Sequence, residues 1–465
     1  MKWSFLIFLQ GIISALLLAV VMPNMLLWGA SEYFGVGRTA LNIDYFFVLA
    51  ALTLGCWRLS VFLLIFMMSI DFLSMVVQVF PFMRFEDLLY LSSFIWVAPV
   101  SYRVWLVCAV LIVFLGVFFL YRIRHKLVRE SSLFVLLLGF FWFQVESVED
   151  RSRFWRVADL NAISSQSAVF FNGRLSPFLS NFSGADSALG EYYGKAASDQ
   201  WRSEWQEGLL GERLLLIVNE SWGMANNSEV NDYLLSFLRS APIVELKTGE
   251  LYFKGATVAA ELRELCRLHP NHFGFRDAYN RLKTCLPAQL DSAGYKTHAM
   301  HGATGMMYDR RDWYSGAGFS EDVFFEDMLP ERRCYSFPGA CDVDLRDRVE
   351  GFFRVKGKRF FYWLTLNTHS IYDERDLFVD LVPCSKFNID PSSESCRNFK
   401  LQAQYFSALG ELLRSPDMSG VDVLLVGDHE PRFRNQYEKG LYYATGKVPW
   451  VRFKVSDILP LAGKN

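Results

Sequence analysis

Val423-Leu-Leu-Val-Gly-Asp-His-Glu-Pro431 runs four aliphatic residues into a glycine and then sets a carboxylate beside an imidazole. The aliphatic run reads as a buried strand, and Gly427 as its stop. In open α/β sheets ligands gather outside the carboxyl ends of the strands, which is where Asp428 and His429 fall. A carboxylate beside a neutral imidazole suits a Zn²⁺- or Mn²⁺-like ion. An isolated Asp-His pair is more often a turn cap beside a surface histidine. A second strand of the same design shifts that balance: Arg213-Leu-Leu-Leu-Ile-Val-Asn-Glu-Ser-Trp-Gly223 also ends in a carboxylate, Glu220.

Working outward, Leu214–Val218, Phe360–Leu366 and Val421–Val426 read as strands. Val230–Ser240, Val258–Leu268 and Asn398–Arg414 read as helices. Such alternation predicts a mostly parallel sheet with helices on both faces. The alternation begins near Glu212, after a mixed, Gly- and Ser-containing stretch that reads as a connecting segment over 148–211.

The first 147 residues are of another kind. The chain of 465 residues is 52% hydrophobic with 42 Phe, rich for a soluble protein, and that apolar weight lies almost wholly before residue 145. Its formal net charge of −2 argues against nucleic-acid binding, since no basic excess exists to neutralise phosphates. Ser4–Trp28 is long enough to span a bilayer and too long for a signal-peptide core, so it reads as an uncleaved anchor. Further spans are predicted at Tyr45–Cys56, Leu59–Phe80, Val104–Tyr121 and Ser132–Val145, about five in all. Met83–Tyr102 is amphipathic and suits the interface. Lys2, Arg58 and the group Arg122, Arg124, Lys126 and Arg129 share one side if there are five spans, and basic loops mark the cytoplasm. Everything after residue 150 is then predicted outside. Asp71, within the third span, faces the bundle interior or has a function. Gly35-Val-Gly-Arg-Thr-Ala40 mimics a dinucleotide fingerprint, but no strand precedes it, so it is read as chance.

The cysteines point the same way. Cys56 and Cys108 lie in spans; the other six fall in the second half, with neighbours at 266/285, 334/341 and 384/396. None has C-x-x-C spacing, and six cysteines allow 15 pairings. Short loops closed by neighbours are the simplest expectation, and disulfides require an oxidising compartment.

Three further stretches carry candidate chemistry. In Gly255-Ala-Thr-Val-Ala-Ala-Glu-Leu-Arg-Glu-Leu-Cys266 a turn enters an amphipathic helix at Thr257, where free N–H groups favour an anion; the plainer reading is an N-cap. A hydroxyl that attacks phosphorus needs activation, which a metal held by Glu220, Asp428 and His429 would supply. Thr297–Tyr314 gathers His298, His301, Arg310, Arg311, Tyr308, Trp313 and Tyr314, suited to a phosphate and its head group, or to an ordinary packed loop. His369 ends the strand-like Leu364-Thr-Leu-Asn-Thr-His-Ser370, where a histidine can bond a phosphoryl oxygen or protonate a leaving group. His269 and His272, beside Pro270, read as loop residues.

At these residues the chain resembles the sulfatase-like branch of the alkaline phosphatase superfamily. Within it, the likeness is to membrane-anchored lipoteichoic acid synthases, phosphoglycerol transferases and phosphoethanolamine transferases. The resemblance implies five spans followed by an extracytoplasmic α/β domain, here 1–147, a connector 148–211 and 212–465. It implies a glutamate after the first strand, a threonine nucleophile and a late Asp-His pair around one divalent ion. Those roles fall on Glu220, Thr257, Asp428 and His429, with Mn²⁺ or Zn²⁺ expected and Mg²⁺ as the alternative. The synthase-type His-Gly followed by aromatic-x-Arg matches His301-Gly302 and Tyr308-Asp309-Arg310, and the family's further substrate histidine matches His369. There are departures. The residues before Thr257 follow neither subfamily, leaving Thr248 as a rival nucleophile, and Tyr308 stands where the synthases commonly carry Trp. The Asp-Asn-x-Ser-Gly-Cys stretch of the phosphoethanolamine transferases is absent, which favours phosphoglycerol. The chain ends soon after the Asp-His motif, so no extra carboxy-terminal module is expected.

The expected activity is transfer of a phospholipid head-group phosphate, through phosphothreonine, to an extracytoplasmic glycan or lipid-linked glycan. Phosphatidylglycerol is the favoured donor and phosphatidylethanolamine, with lipid A or another glycan as acceptor, the alternative. The expected location is the bacterial inner membrane, multi-pass, with the catalytic domain in the periplasm. Rival readings are a sulfatase-like or phosphodiester hydrolase, a non-catalytic scaffold, and a serine hydrolase. Asn219-Glu-Ser-Trp-Gly223 is one residue from a G-x-S-x-G elbow with Ser221 as nucleophile. Against that last reading, Asp428 and His429 are adjacent and hard to use as separate triad members.

Overall fold

The computed structural model describes residues 2–34, 38–79, 100–124, 128–146, 163–171, 188–275, 278–330, 332–337, 339–370, 372–433 and 436–456. The chain divides into two compact units, Met1–Ser183 and Gly184–Asn465.

The first unit is helical. Lys2–Leu16 passes through a π turn, Leu17–Val21, into Met22–Phe34; Tyr45–Thr53, Trp57–Val79, Val100–Ile123 and Arg129–Glu146 follow. Among the described residues three segments are long and apolar enough to cross a membrane: Phe5–Ser31, Trp57–Val76 and Leu106–Ile123. The expectation of five is met by three on that measure, for a physical reason in each remaining case. The predicted span at Tyr45–Cys56 is a nine-residue helix, rising about 14 Å where the hydrocarbon core is about 30 Å thick. The predicted span Ser132–Val145 lies in an 18-residue helix that carries Arg129, Glu130 and Glu146. The interfacial segment expected at Met83–Tyr102 falls almost wholly outside the described residues.

The two ends of this unit differ in chemistry. Arg124 lies over the rings of Trp57 and Tyr121 at 4.9 and 4.1 Å, and Ser131 Oγ donates to the Phe8 carbonyl at 2.9 Å. Arg124, Ser131, the 57–58 turn and the first helix near Phe8 therefore share one end. Toward the other end, Asp71 is fully buried and accepts bonds from Arg38 Nε and Nη2 (3.0 and 2.8 Å), Asn42 Nδ2 (3.0 Å) and Tyr45 Oη (2.9 Å). Asp71 thus faces the interior, its charge matched by Arg38. Leu41–Asn42 pairs in parallel with Ile163–Ser164, and Asp44 accepts from Ser165 Oγ and the Ser167 N–H.

The second unit is built on a seven-stranded sheet: β1 (Arg213–Asn219), β2 (Ile243–Tyr252), β3 (Lys296–His301), β4 (Glu321–Val323), β5 (Arg359–Leu364), β6 (Asp422–Gly427) and β7 (Lys447–Val455). Their spatial order is β2-β7-β6-β1-β5-β3-β4. The five strands β6 to β4 are mutually parallel, and β7 and β2 close one edge antiparallel. Leu214–Val218 and Phe360–Leu364 are wholly buried, as parallel strands covered on both faces must be. The amphipathic helices Ser228–Arg239 and Glu394–Leu412 pack into the core with these strands.

Sequence patterning locates β1, β5 and β6 and the helices Ser228–Arg239, Thr257–Cys266 and Glu394–Leu412 to within a few residues. It misses the strands whose residues do not look buried. β2 lies on the edge and reads Ile-Val-Glu-Leu-Lys-Thr-Gly-Glu-Leu-Tyr, β3 contains two histidines and a lysine, and β7 holds Pro449 and three cations. The three neighbouring cysteine pairs are bonded: Cys266–Cys285, Cys334–Cys341 and Cys384–Cys396.

Candidate active site

Parallel pairing brings the carboxylates together. Gly427 of β6 lies opposite Asn219 of β1, so the next residue on each strand, Asp428 and Glu220, leaves the same edge of the sheet. Gly427 permits the close approach: a Cβ there would lie 2.0 Å from the Trp222 carbonyl oxygen. Glu220, Asp428 and His429 are buried, and each offers a ligand atom within 4.8 Å of the others. His429 Nε2 stands 3.3 Å from Asp428 Oδ2 and 3.7 Å from Glu220 Oε1.

The state of each group follows from its bonds. His429 Nδ1 lies 2.9 Å from the Glu430 carbonyl. A carbonyl only accepts, so Nδ1 carries a proton and Nε2 is the ring nitrogen turned toward the carboxylates. Asp428 Oδ1 accepts the Ser221 N–H at 2.7 Å, whereas the buried Oδ2 has no hydrogen-bond partner. Burial, and next the charge of Asp428, push the Glu220 carboxyl up to about 8. Two buried acids, one with a bare oxygen, beside an imidazole nitrogen form a donor set short of a cation. The donor set fits a divalent ion of the Zn²⁺ or Mn²⁺ kind.

Thr257 is the first residue of the helix Thr257–Cys266, and the N-cap is Ala256, which makes no side-chain cap bond. The plainer expectation of a capping threonine is therefore replaced. The half-buried Thr257 hydroxyl instead donates to Glu220 Oε2 at 3.2 Å. Its rival Thr248 pairs with Val451 in the edge strand β2, three strands from β1. Ser221 adopts a left-handed φ of 50° and donates its hydroxyl to Glu220 Oε1 at 2.9 Å. Its partner is the Glu220 carboxylate, not a histidine, so Ser221 does not form the Ser–His pair of the serine hydrolase read as an alternative. It braces both acids.

Four remaining residues were expected to hold substrate. His301 ends β3, and its Nδ1 lies 3.0 Å from the Leu364 carbonyl; burial, and next Arg310, press its pKa well below the usual range. His369 follows β5, its Nδ1 on the Ser370 carbonyl; burial lowers its pKa too. Both are neutral near pH 7 with Nε2 as the acceptor nitrogen. Tyr308 and Asp309 adopt successive left-handed conformations at φ 58° and 52°, a costly arrangement that concentrates at functional sites. Burial is the main cause pushing the Tyr308 phenol up to about 12, with the nearby charge of Glu220 adding to it.

Arg310 is placed differently from the simple expectation of a phosphate ligand. Its Nε and Nη2 donate to Glu261 Oε1 at 2.9 and 2.7 Å, and Glu261 lies one turn beyond Thr257 on the same helix. Tyr314 and Tyr362 hydroxyls donate to Glu261 Oε2. This buried network anchors the nucleophile helix. Glu261→Ala should destabilise the protein by about 3–5 kcal/mol, because it leaves Arg310 buried without its partner; chemical denaturation of the full chain measures it.

Glu261, which acts through this network, was missed in the sequence, and Ser221 was singled out there only as a rival nucleophile. Asn219, Thr365, Thr368 and Gln402 complete the cradle of the Glu220 backbone. Thr365 Oγ1 accepts the Glu220 N–H at 2.9 Å, while Thr368 Oγ1 and Gln402 Nε2 donate to its carbonyl. Glu261 had a legible signal, as a carboxylate on the apolar side of a helix four residues after the threonine. The others depend on contacts between distant segments.

Residues 244–443 match the Sulfatase family model. That match contains Thr257, His301, His369, Asp428 and His429, and begins after Glu220. Among solved structures, a lipoteichoic acid synthase of Listeria monocytogenes is 16% identical with a TM-score of 0.41, over 52% of this chain and 65% of that one. A Streptococcus pyogenes phosphoglycerol transferase, solved with sn-glycerol-1-phosphate, is 12% identical with a TM-score of 0.37, over 57% and 78%. The periplasmic domain of a protein named EcEptC from Escherichia coli is 14% identical with a TM-score of 0.34, over 53% and 74%. The chain thus spans just under two thirds of the Listeria structure. No curated protein matches the sequence.

Proposed function

We propose that the chain is a membrane-anchored transferase that moves the phosphate-bearing head group of a phospholipid, phosphoglycerol in preference to phosphoethanolamine, onto an extracytoplasmic glycan. The observation that carries this reading is the Thr257 hydroxyl bonded to Glu220 within reach of Asp428 and His429. A hydroxyl at a helix N-terminus beside a buried acid–acid–imidazole set is what attack on phosphorus needs.

Glu220, Asp428 and His429, with Thr257, would hold one divalent ion, Mn²⁺ or Zn²⁺ in preference to Mg²⁺. When bound, the ion would lower the pKa of the Thr257 hydroxyl and offset charge on the phosphoryl oxygens. Thr257 Oγ1 then attacks phosphorus, its bond to the head-group phosphate forms, and the bond from phosphorus to the diacylglycerol oxygen breaks. The proton lost by the Thr257 hydroxyl, bonded to Glu220 before attack, balances the one that the departing oxygen takes up as it leaves as diacylglycerol. In the second half, an acceptor hydroxyl attacks the phosphothreonine and the Thr257 oxygen is released. His301 and His369, neutral with Nε2 unprotonated, are suited to take the acceptor's proton. Tyr308, kept a neutral phenol, forms an aromatic wall with a hydroxyl to donate.

The topology follows from the first unit. The end that holds Arg58 and Arg124 is the one the positive-inside rule would assign to the cytoplasm. If the short helix Tyr45–Thr53 and the helix Arg129–Glu146 traverse with the three long apolar segments, the catalytic unit lies in the periplasm across a bacterial inner membrane, with 1–147 as the membrane part, 148–211 as connector and 212–465 as the catalytic part. The three disulfides accord with that oxidising side.

Donor choice is tested with liposomes of defined composition. Purified full chain with Mn²⁺ should release diacylglycerol at least about ten-fold faster from phosphatidylglycerol than from phosphatidylethanolamine, one decade being about 1.4 kcal/mol of transition-state preference. The reverse preference overturns the phosphoglycerol assignment and leaves the transfer chemistry standing.

A further inference from the structure

Cys334 and Cys341 close a short hairpin, Arg333–Cys334 paired antiparallel with Gly339–Ala340, and this hairpin is stitched to both histidine-bearing loops. The Ala340 N–H donates to the carbonyl of Gly302, the residue after His301, at 2.8 Å. The approach is so close that a Cβ at Gly339 would collide with the same oxygen. On the other side, Asp342 Oδ2 accepts the N–H groups of Leu366 and Asn367, each at 2.8 Å, and Asn367 Oδ1 accepts the Asp342 N–H. Those two residues lead directly into His369. Asp376 Oδ1 and Oδ2 accept the N–H groups of Tyr335 and Ser336 at 2.7 and 2.6 Å. A disulfide and two buried acids thus fix the backbone on which Phe337 sits.

We propose that Phe337 is a positioning residue for His369, holding the imidazole in the orientation that presents Nε2 to the acceptor hydroxyl. The proposal rests on the transferase reading above, in which His369 takes a proton there, and adds to it the element that keeps the ring in place. The half-buried Phe337 ring lies edge-on to the His369 ring, with centroids 5.1 Å apart and planes at 64°.

The two histidines differ in what holds them. His301 is buried, and its Nδ1 bonds the Leu364 carbonyl on the adjacent strand, so the sheet fixes its ring. His369 is half-buried, and its Nδ1 bonds the carbonyl of Ser370, its own neighbour in a loop. Such a bond moves with the loop. Torsion about an imidazole's Cβ–Cγ bond is broad and nearly two-fold, so a half-turn would exchange the two nitrogens. Edge-to-face packing of rings is directional, and here the packing ring stands on a hairpin tied down on both sides. Phe337 therefore opposes that turn. Placement of this kind decides proton transfer, where a misplacement of about 1 Å can cost about a hundred-fold.

Steady-state kinetics in two backgrounds tests this. With Mn²⁺ and phosphatidylglycerol liposomes, Phe337→Ala in the full chain should lower kcat for diacylglycerol release about ten- to a hundred-fold. KM should change less than about two-fold, because no substrate contact is removed. Phe337→Tyr keeps the ring and should recover most of the rate. Phe337→Leu, which keeps apolar bulk in the hairpin, should recover little. In His369→Ala protein, adding Phe337→Ala should cost less than about two-fold more, since the ring it positions is gone. The arrangement itself is read by NMR of ring-labelled histidine. Of the seven histidines, the His369 signal, identified by its loss in His369→Ala, should move in Phe337→Ala. Unchanged kcat, a loss carried by KM, an equal loss with and without His369, or an unmoved His369 signal would each overturn the proposal. A wild type that turns over no lipid, with the His369 signal still moved by Phe337→Ala, sinks the transferase reading alone.

Discussion

Mn²⁺ or Zn²⁺ added to metal-free protein should raise its thermal unfolding midpoint by several degrees, and Asp428→Asn should abolish most of the rise. The size follows from linkage: an ion at 100 times its dissociation constant stabilises the folded state by about 2.7 kcal/mol, a shift of several degrees for a unit this large. The cause is electrostatic. Without an ion, Glu220 and Asp428 are buried together and Asp428 Oδ2 has no partner. Burial holds the Glu220 carboxyl at about 8 against an ordinary 4.5, so the folded metal-free protein binds a proton there more tightly than the unfolded chain does. Its contribution is greatest below the ordinary carboxylate range and is lost as pH rises to about 8. An ion must displace that proton. Apparent affinity should therefore climb toward ten-fold per pH unit up to about 8 and flatten above. Calorimetric titrations at pH 6, 7, 8 and 9 test it; affinity independent of pH would place the ion elsewhere.

Replacing Thr257 has the largest expected effect on activity. Thr257→Ala should lower phosphatidylglycerol turnover by at least about a thousand-fold, because it removes the attacking atom itself. The fold should survive: Thr257 is half-buried, it caps no N–H, and its hydroxyl makes one bond, to Glu220. Unfolding free energies of variant and wild type should agree within about 1 kcal/mol. Thr257→Ser keeps a hydroxyl at the same position and should retain measurable turnover. A Thr257→Ala protein that still cleaves lipid at more than a tenth of the wild-type rate would remove the nucleophile assignment. Thr248, in an edge strand paired with Val451, offers no substitute.

The central parallel strands were legible because burial on both faces leaves continuous aliphatic or aromatic runs, as in Leu214–Val218 and Phe360–Leu364. The acids that end β1 and β6 were legible for the same reason, since each marks where such a run meets the sheet's edge. Parallel register then sets Glu220 beside Asp428, a relation no single stretch displays. Tyr45–Cys56 shows the limit of hydropathy: its composition is apolar enough for a span, yet Gly55 and the turn after Thr53 stop the helix at nine residues. Arg310 shows another limit. An arginine in a loop with aromatics reads as a phosphate ligand, and only the buried Glu261 on a separate helix reveals where its donors go. Ser221 was legible only as a rival nucleophile, because its N–H bond to Asp428 forms only when two distant segments meet.

The measurement closest to the central claim is the intact mass of the full chain after brief incubation with phosphatidylglycerol and Mn²⁺, beside Thr257→Ala. The account predicts a single added phosphoglycerol on the wild type, located at Thr257 by fragmentation, and none on the variant. The same adduct on Thr257→Ala, or an adduct at another residue of the wild type, would contradict it.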